Sequence, residues 1–348
     1  MNRITDIQRT EQIINETIRS LNLDLSGMTV MTELASGDFI VTPLTAALAG
    51  AEKVYVTGRD SRYGTVEELK DYMHQMQKAL GICDECIQFV DDKDRVAQEV
   101  NVVTNSGFVR PINDGFIKRL PEDAAISLMF ESWEYRPEDI DLGSCRRNNI
   151  PILGVNENDD RLRIFRYVGL TVLKLLFELQ IEVFKGRFLV LSSGSYLKEI
   201  KHVLEANGAE VFVIDTSAEV KNVVSAESTY YDAIIVAEQD NPACLIGEGA
   251  LYTDLVDPGR PLIHIAGVLD GNWLKNNGIN KYPPQEAGYG YMTVTTGYMG
   301  IRPVIELNAA GLRVGQLLVE GMRTYHNVTE AQRYALGDSC AMDFDMQQ

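Results

Sequence analysis

Short β-like runs alternate with helical runs along almost the whole chain, and this alternation constrains the possible folds most strongly. Residues 29–33 (TVMTE) and 53–57 (KVYVT) are typical strand sequences, and residues 65–80 after them have the pattern of a helix. Such alternation is typical of parallel sheets covered by helices on both faces. We therefore predict an α/β fold with doubly wound parallel sheets. The predicted strands comprise residues 29–33, 53–57, 87–90, 101–105, 124–131, 150–155, 187–192, 210–215, 232–238 and 261–267.

A long apolar-rich run divides these strands into two series. Residues 161–184 form the run and are predicted to be a helix. The chain has 348 residues, whereas a single hydrophobic core stops growing at roughly 250 to 300 residues. We therefore predict two α/β domains joined by long helices. The predicted parts are an N-terminal helix (1–26), a first domain (27–157), a second domain (158–302), and a C-terminal helix that returns to the first domain, with a loosely held acidic tail (303–348).

The charge balance disfavours two classes of partner. Fifty acidic residues against thirty-two basic ones give a formal net charge of −18, which repels nucleic-acid backbones and anionic membranes. No apolar stretch approaches the roughly 20 residues that span a bilayer, and the first residues lack a signal-peptide core. We expect a cytoplasmic protein without nucleic-acid or membrane partners.

The cysteines favour neither a disulfide framework nor a metal site. There are five, an odd number, and only Cys83 and Cys86 form a C-x-x-C pair. No second pair has zinc-site spacing, and the two acids between these cysteines would raise a thiol pKa. We expect no bound metal.

A small-residue turn at residues 192–195 (Ser-Ser-Gly-Ser) lies between a predicted strand and a predicted helix. Asp215 ends the next strand, 21 residues beyond Gly194. In a dinucleotide fold, N–H groups of such a turn meet the diphosphate, and an acid at this distance meets a ribose hydroxyl. The alternative is an ordinary α/β turn, because the G-x-G-x-x-G fingerprint is absent. The predicted cofactor-binding residues are Ser192, Ser193, Gly194, Ser195, Asp215, Ala237 and Gly267.

Polar residues collect where the strands of the first series end. In open α/β sheets, ligands bind beyond the carboxyl ends of the strands, so these residues are candidates for a substrate site. Arg59 and Arg62 could also bind a 2′-phosphate or another anion, although solvated loop charges are the simpler interpretation. A glycine- and tyrosine-rich loop (286–300) before Pro303 could hold an anion, cover a site or contact another subunit. The predicted substrate-binding residues are Glu33, Ser36, Gly37, Arg59, Asn105, Ser106, Glu131, Asn156, Thr296 and Arg302.

Two segments resemble the D-2-hydroxyacid dehydrogenase family. Residues 138–157 (EDIDLGSCRRNNIPILGVNE) are similar to the stretch that precedes the long helix into the family's Rossmann domain. Residues 261–267 (PLIHIAG) are similar to the stretch that carries its catalytic histidine. The resemblance implies a two-domain Rossmann fold, NAD or NADP as cofactor, and His264 as acid/base. Where the family has a substrate-binding arginine, this chain has Glu238, a candidate orienting carboxylate or alternative base.

These observations lead to one functional hypothesis and two alternatives. We expect an NAD(P)-dependent oxidoreductase that transfers hydride to or from a small polar metabolite in the interdomain cleft, and that forms a homodimer. Histidine suits the proton transfer because its unperturbed pKa is about 6.5. One alternative is a catalytically silent Rossmann-like protein that binds a nucleotide, a metabolite or a partner. The other is a different enzyme, in which Glu33, Asn105 and Glu131 handle a polar or phosphorylated substrate.

Overall fold

The computed structural model describes residues 4–217 and 230–344, apart from the side chain of Thr296. The chain forms two compact units. Unit 1 comprises Met1–Arg163 and Ile301–Gln348, and unit 2 comprises Ile164–Gly300. Unit 1 is therefore built from two separate segments of the chain, and unit 2 lies between them in sequence.

The helices follow one another in the order expected for an alternating α/β chain. Within the described residues they are α1 (Ile7–Leu21), α2 (Val41–Leu48), α3 (Val66–Ala79), α4 (Asp114–Ile117), α5 (Leu142–Arg147), α6 (Arg166–Glu178), α7 (Gly194–Ala206), α8 (Gly271–Asn276), α9 (Ile301–Tyr325) and α10 (Val328–Ala335).

The strands alternate with these helices and are mostly short. Within the described residues they are β1 (Thr29–Glu33), β2 (Lys53–Thr57), β3 (Ile87–Phe89), β4 (Val102–Thr104), β5 (Ala125–Ser127), β6 (Ile152–Val155), β7 (Arg187–Ser192), β8 (Glu210–Asp215), β9 (Ala233–Ala237), β10 (Cys244–Ile246), β11 (Leu262–Ala266), β12 (Val268–Leu269), β13 (Lys281–Tyr282) and β14 (Ala341–Met342).

The sheet of unit 1 has the order β14-β6-β5-β4-β1-β2-β3. Its strands are parallel except for β14, which pairs antiparallel with β6. The chain first builds outward from β1 through β2 to β3, and then returns to the other side of β1 with β4. The strand order therefore reverses between β1 and β4, and such a switch point leaves a crevice beyond the carboxyl ends of the two strands.

The sheet of unit 2 has the order β13-β11-β9-β7-β8 and is parallel throughout. Its switch point lies between β7 and β9, and β10 and β12 form a separate small sheet. Both units are doubly wound parallel sheets, so the predicted fold class is confirmed. No helix within 4–217 and 230–344 has the length and apolarity to cross a membrane.

Each sheet is buried on both faces, as the apolar strand sequences require. Along β7, Phe188 and Val190 join one core cluster with α6 and α7, whereas Leu189 and Leu191 join another with α8. The period of two in a strand places alternate side chains on opposite faces. In unit 1, one cluster includes Phe116 of α4, and another joins α1, α2 and α9.

Three expectations from the sequence need correction. The predicted helix at 161–184 is shorter, because α6 spans Arg166–Glu178. The cysteines were expected to form no disulfide framework, but Cys83 and Cys86 are joined by one disulfide. Their Cα atoms lie 5.4 Å apart, a usual distance for this bond. The tail is not loosely held as far as residue 344: Asp338 pairs with Arg161 and Arg313, and β14 extends the sheet.

Candidate functional site

The turn between β7 and α7 offers backbone N–H groups at the carboxyl edge of unit 2. Ser193 is the N-cap of α7, but its side chain makes no capping hydrogen bond. Gly194 begins the helix with a φ of +54°, a left-handed conformation that glycine adopts easily. The N–H groups in the first turn of a helix have no partner within the helix, so they can bind an anion.

The hydroxyl groups of Ser192 and Ser193 point into the protein rather than toward a ligand. Both residues are fully buried. Ser192 Oγ donates to the Ala237 carbonyl at 2.5 Å, and Ser193 Oγ donates to Glu238 Oε1 at 2.7 Å. These bonds tie β7 to the neighbouring β9. Only the backbone of this turn and the half-buried Ser195 therefore remain for a cofactor.

Glu238 organises the carboxyl edge of unit 2. Its side chain is 1% exposed and accepts hydrogen bonds from Ser193, from Thr216, and from the N–H groups of Asp240 (2.7 Å) and Asn241 (2.9 Å). One carboxylate thereby holds three loops together. The strand that Glu238 follows, β9, pairs with β11, which carries His264, but no hydrogen bond joins the two side chains in the described part of the chain.

The carboxylate of Asp240 lies over the first turn of α7. Asp240 Oδ2 is 3.0 Å from the position that a Cβ atom would take on Gly194, and 3.5 Å from Ser193 Oγ. A side chain at position 194 would therefore collide with it. A negative charge is favourable at the N-terminus of a helix, so Asp240 stands where an anionic ligand would bind. Because Asp240 is exposed, its side chain can move aside.

Asp215 and Gly267 complete this edge. Asp215 ends β8 in register with Ser192 of β7, and its exposed carboxylate accepts hydrogen bonds from the N–H group (3.0 Å) and hydroxyl (2.6 Å) of Ser217. Gly267 has a φ of +101°, and its carbonyl contacts His264 Nε2 at 2.9 Å. The spacing that singled out Asp215 thus places it on the strand beside the turn.

His264 is a buried, neutral imidazole. It lies in β11 between β9 and β13 and is 0% exposed. Burial lowers its pKa to about 4, and the positive charge of Lys281 acts in the same direction. If Nε2 carries the proton and donates to the Gly267 carbonyl, then Nδ1 is the free acceptor, and it has no described partner. Acid/base work would require this ring to become accessible.

The switch point of unit 1 also collects polar side chains. Asn105 directly follows β4 and is 1% exposed. Its Oδ1 accepts a hydrogen bond from the Met129 N–H at 2.8 Å, whereas its Nδ2 has no described partner. Ser106 is also buried, and its hydroxyl lies 2.8 Å from Thr104 Oγ1. The predicted candidates Asn105 and Ser106 therefore lie together at this edge.

Glu33 and Arg59 lie at the carboxyl ends of β1 and β2. Glu33 accepts a hydrogen bond from the Phe108 N–H at 3.1 Å. Burial raises its pKa, although the Phe108 N–H and the Arg110 charge act against the rise. The Arg59 guanidinium lies over the Phe108 ring, 5.5 Å from its centroid. Ser36 and Gly37 form the turn that follows β1, where Gly37 has a φ of +60°.

Glu131, Glu134 and Glu157 form an acidic cluster in unit 1, in which Glu131 and Glu157 are buried and Glu134 is half-buried. Glu131 is 5% exposed, and it accepts hydrogen bonds from Trp133 Nε1 (2.6 Å) and from the Glu157 N–H (3.3 Å). Burial and the Glu131 charge raise the pKa of Glu134 to about 7, and burial raises that of Glu157 well above its usual value. Burial thus disfavours the ionised forms of Glu134 and Glu157.

Two other predicted substrate residues have structural partners, and a third cannot be placed. Asn156 Nδ2 donates to the Ser339 carbonyl at 2.9 Å, which ties Asn156 to the C-terminal segment. Arg302 lies in α9 and pairs with Glu16 (3.0 Å) and Glu306 (3.4 Å). The side chain of Thr296 lies outside the described part of the chain.

Asp240, Phe108 and Arg110 are not among the site residues predicted from the sequence. Asp240 follows Glu238 by two residues in VAEQDNP, but its proximity to Gly194 depends on the pairing of β7 with β9. Arg110 pairs with Asp139 at 2.5 Å and lies close to Gly107. No pattern in the sequence marks the contact of Asp240 with Gly194 or that of Arg110 with Asp139, because each joins segments that are distant along the chain.

Comparisons with known proteins support the fold. No family model matches the chain, and no curated protein matches it significantly in sequence. Among solved structures, a dipicolinate synthase from Bacillus subtilis matches with 13% identity over 86% of this chain and 98% of its own, with a TM-score of 0.52. A dipicolinate synthase from Bacillus halodurans matches with 13% identity over 82% of this chain and 96% of its own, with a TM-score of 0.51.

A weaker likeness involves D-lactate dehydrogenase with NAD⁺ from Lactobacillus jensenii. Its identity is 12% over 84% of this chain and 97% of its own, with a TM-score of 0.46, too low to support an inference from that enzyme. At such identities, the dipicolinate synthase structures show likeness in fold alone. The two units and their doubly wound parallel sheets confirm the architecture that the resemblance to D-2-hydroxyacid dehydrogenases led us to expect.

Proposed function

We propose that the protein is an NAD-dependent oxidoreductase that acts on a small polar metabolite and binds the dinucleotide in unit 2. The observation that carries the proposal is the pairing of the β7–α7 turn with Asp215. The turn presents helix N–H groups without a side-chain cap, and Asp215 ends the adjacent strand in register with Ser192. This is the arrangement in which Rossmann folds bind a diphosphate and a ribose.

The described residues fit a dinucleotide if one side chain moves. Gly194 has no side chain over the first turn of α7, but the Asp240 carboxylate lies there, with its Oδ2 3.0 Å from the position of a Cβ atom on Gly194. This carboxylate must therefore move when a diphosphate binds. The exposed Asp215 carboxylate can accept hydrogen bonds from a ribose and would repel a 2′-phosphate. This charge favours NAD over NADP.

In the proposed reaction, the nicotinamide supplies or accepts the hydride. The chain holds the cofactor with the N–H groups of Gly194 and Ser195 and with Asp215, and Glu238 positions the turn. His264 is the proposed proton carrier, by resemblance alone. Because Nε2 contacts the Gly267 carbonyl, Nδ1 is the nitrogen available for the proton.

A calorimetric titration with NADH and NADPH tests this proposal. We expect NADH to bind more tightly than NADPH, and Asp215→Ala to weaken NADH binding about tenfold, the effect of losing roughly 1.4 kcal/mol. Glu210→Gln is the matched control, because Glu210 begins the same strand at its other end. If neither dinucleotide binds at millimolar concentration, the proposal fails.

A second candidate function is that of a silent dinucleotide- or metabolite-binding protein. The specific observation in its favour is the burial of His264, with its pKa lowered to about 4. His264→Ala separates the two functions. An oxidoreductase that uses this ring would lose turnover and retain most of its NADH affinity, whereas a silent protein would bind NADH and show no turnover with or without the substitution.

A further inference from the structure

The switch point of unit 1 has the topology of a ligand site. Its parallel strands follow the order β6-β5-β4-β1-β2-β3, which is the order of the sheet in dinucleotide-binding folds. The crevice lies beyond the carboxyl ends of β1 and β4. Glu33 ends β1, and Asn105 directly follows β4. Topology alone does not identify a ligand, so the side chains must indicate what the crevice binds.

Asn105 presents a hydrogen-bond donor that has no described partner. The residue is 1% exposed, and its Oδ1 is held by the Met129 N–H at 2.8 Å. This bond sets the orientation of the amide, so that Nδ2 is the remaining donor, and it is unpaired among the described residues. Buried donors are almost always paired in native proteins, because an unpaired donor costs free energy. A ligand acceptor at the switch point would pair it.

Arg59 is an exposed cation beside the same crevice. It follows β2 and makes no ion pair within the described residues, although the chain carries a net charge of −18. Its guanidinium lies over the ring of Phe108, and the Phe108 N–H donates to Glu33 at the end of β1. These contacts place Arg59 at the edge of the crevice with its N–H groups available.

The acidic groups of this edge do not oppose an anion as strongly as their number suggests. Burial raises the pKa of both Glu33 and Asp38, so burial disfavours their ionised forms. A fixed cation and an amide donor together match the oxygens of a phosphate group.

We propose that the switch point of unit 1 is a second binding site, for a phosphate monoester, with Arg59 as its anchor and Asn105 Nδ2 as a positioning donor. The site concerns unit 1 alone and does not depend on dinucleotide binding in unit 2. A planar guanidinium binds two phosphate oxygens at once, and the phosphate keeps further oxygens as acceptors for Asn105 Nδ2. A carboxylate ligand has fewer oxygens to offer to the same two residues.

Calorimetric titration of the full chain with inorganic phosphate, and with acetate for comparison, tests the site. We expect saturable phosphate binding in the millimolar range and weaker binding of acetate. Arg59→Gln should reduce phosphate affinity at least tenfold. Arg62→Gln is the matched control, because Arg62 is also exposed and lies over an aromatic ring, that of Tyr63. It should change the affinity less than twofold.

Three outcomes would overturn the proposal: no saturable phosphate binding, an equal loss in both arginine variants, or acetate binding as tight as phosphate binding. Asn105→Asp replaces the donor by an acceptor of equal size and should also abolish binding, with circular dichroism confirming that the variant is folded. NADH titration of Arg59→Gln separates the two sites. Unchanged NADH affinity with lost phosphate binding supports the proposal, and a parallel loss of both would place the dinucleotide in unit 1 instead.

Discussion

Individual residues at the carboxyl edge of unit 2 show what spacing can and cannot predict. The distance of 21 residues between Gly194 and Asp215 was sufficient to place both at this edge, because strand and helix lengths are regular. Spacing could not predict that Asp240 lies over the same turn. That contact requires β9 to pair with β7, and pairing between strands is a property of the folded sheet.

Neutralising Asp240 should strengthen dinucleotide binding. Asp240→Asn removes a negative charge from the position proposed for the diphosphate, and an interaction of about 1 kcal/mol corresponds to a roughly fivefold gain in NADH affinity. Glu205→Gln is the control, because it removes a charge from the opposite end of α7. Calorimetry measures both variants. If Asp240 only caps the helix, Asp240→Asn will lower the melting temperature slightly and leave NADH affinity unchanged.

The acidic cluster of unit 1 should make stability depend on pH. Its member Glu134 has a folded pKa of about 7, raised from 4.5 by burial and then by Glu131. The stability that Glu134 contributes is fully present below its unfolded pKa near pH 4.5, and it is lost as the pH rises through 7. Between pH 5 and pH 8, Glu134→Gln should therefore lose less stability than the unsubstituted protein.

The expected difference is about 1 kcal/mol, discounted because Glu134 is only half-buried, or roughly 2 to 4 °C in melting temperature. Thermal unfolding by circular dichroism at the two pH values measures it. Glu138→Gln serves as the control, because Glu138 is an exposed acid in the same segment. Identical pH profiles for Glu134→Gln and the unsubstituted protein would remove the cluster as the source of the effect.

At the scale of elements, the predicted bounds were accurate for some strands and too long for others, since residues 124–131 were predicted as one strand and β5 spans only Ala125–Ser127. The predicted strands 29–33 and 53–57 coincide with β1 and β2. The helix predicted at 161–184 was too long. Apolar residues at helical spacing indicate which side chains are buried, but they do not show by themselves that the backbone is helical. Leu162 and Val183 are buried, at 5% and 4% exposed, yet they lie outside α6. Positive φ angles at Arg163 and Gln180 accompany the irregular segments on either side.

The packing of α6 against α7 depends on Gly169. A Cβ atom at this position would lie 2.7 Å from the Glu199 carbonyl oxygen, and a backbone atom cannot easily move away. Gly169→Ala should therefore destabilise the protein by about 1 to 3 kcal/mol, despite the higher helix propensity of alanine. Urea unfolding measures the change. Gly288→Ala, where nothing lies within 4 Å of the added atom, should have little effect. Equal stability of the two variants would contradict close packing at Gly169.

At the scale of the whole molecule, two separate segments of the chain build unit 1, and one continuous segment builds unit 2. The α9 helix belongs to the second segment, yet Ile301, Val304 and Ile305 share a core cluster with α1 and α2. Alternation along the sequence predicted α/β domains with parallel sheets. It could not show which residues of α9 enter this cluster, because that depends on packing between the two segments of unit 1.

Unit 2 should fold alone, whereas unit 1 should require α9. A chain of residues 164–300 retains both core clusters of unit 2, so we expect cooperative thermal unfolding. A chain that ends at residue 300 exposes the cluster that α9 covers, and it should aggregate or lose cooperative unfolding of unit 1. The control ends at residue 326 and retains α9. Equal unfolding midpoints for the chains ending at 300 and 326 would contradict a structural role for α9.

A crystal structure of the protein with bound NADH tests the central claim most directly. The account predicts density for the diphosphate at the N–H groups of Gly194 and Ser195, a ribose hydrogen-bonded to Asp215, and the Asp240 carboxylate displaced from the turn. Density for the dinucleotide at Asn105 and Arg59 in unit 1, with the β7–α7 turn unchanged, would contradict it.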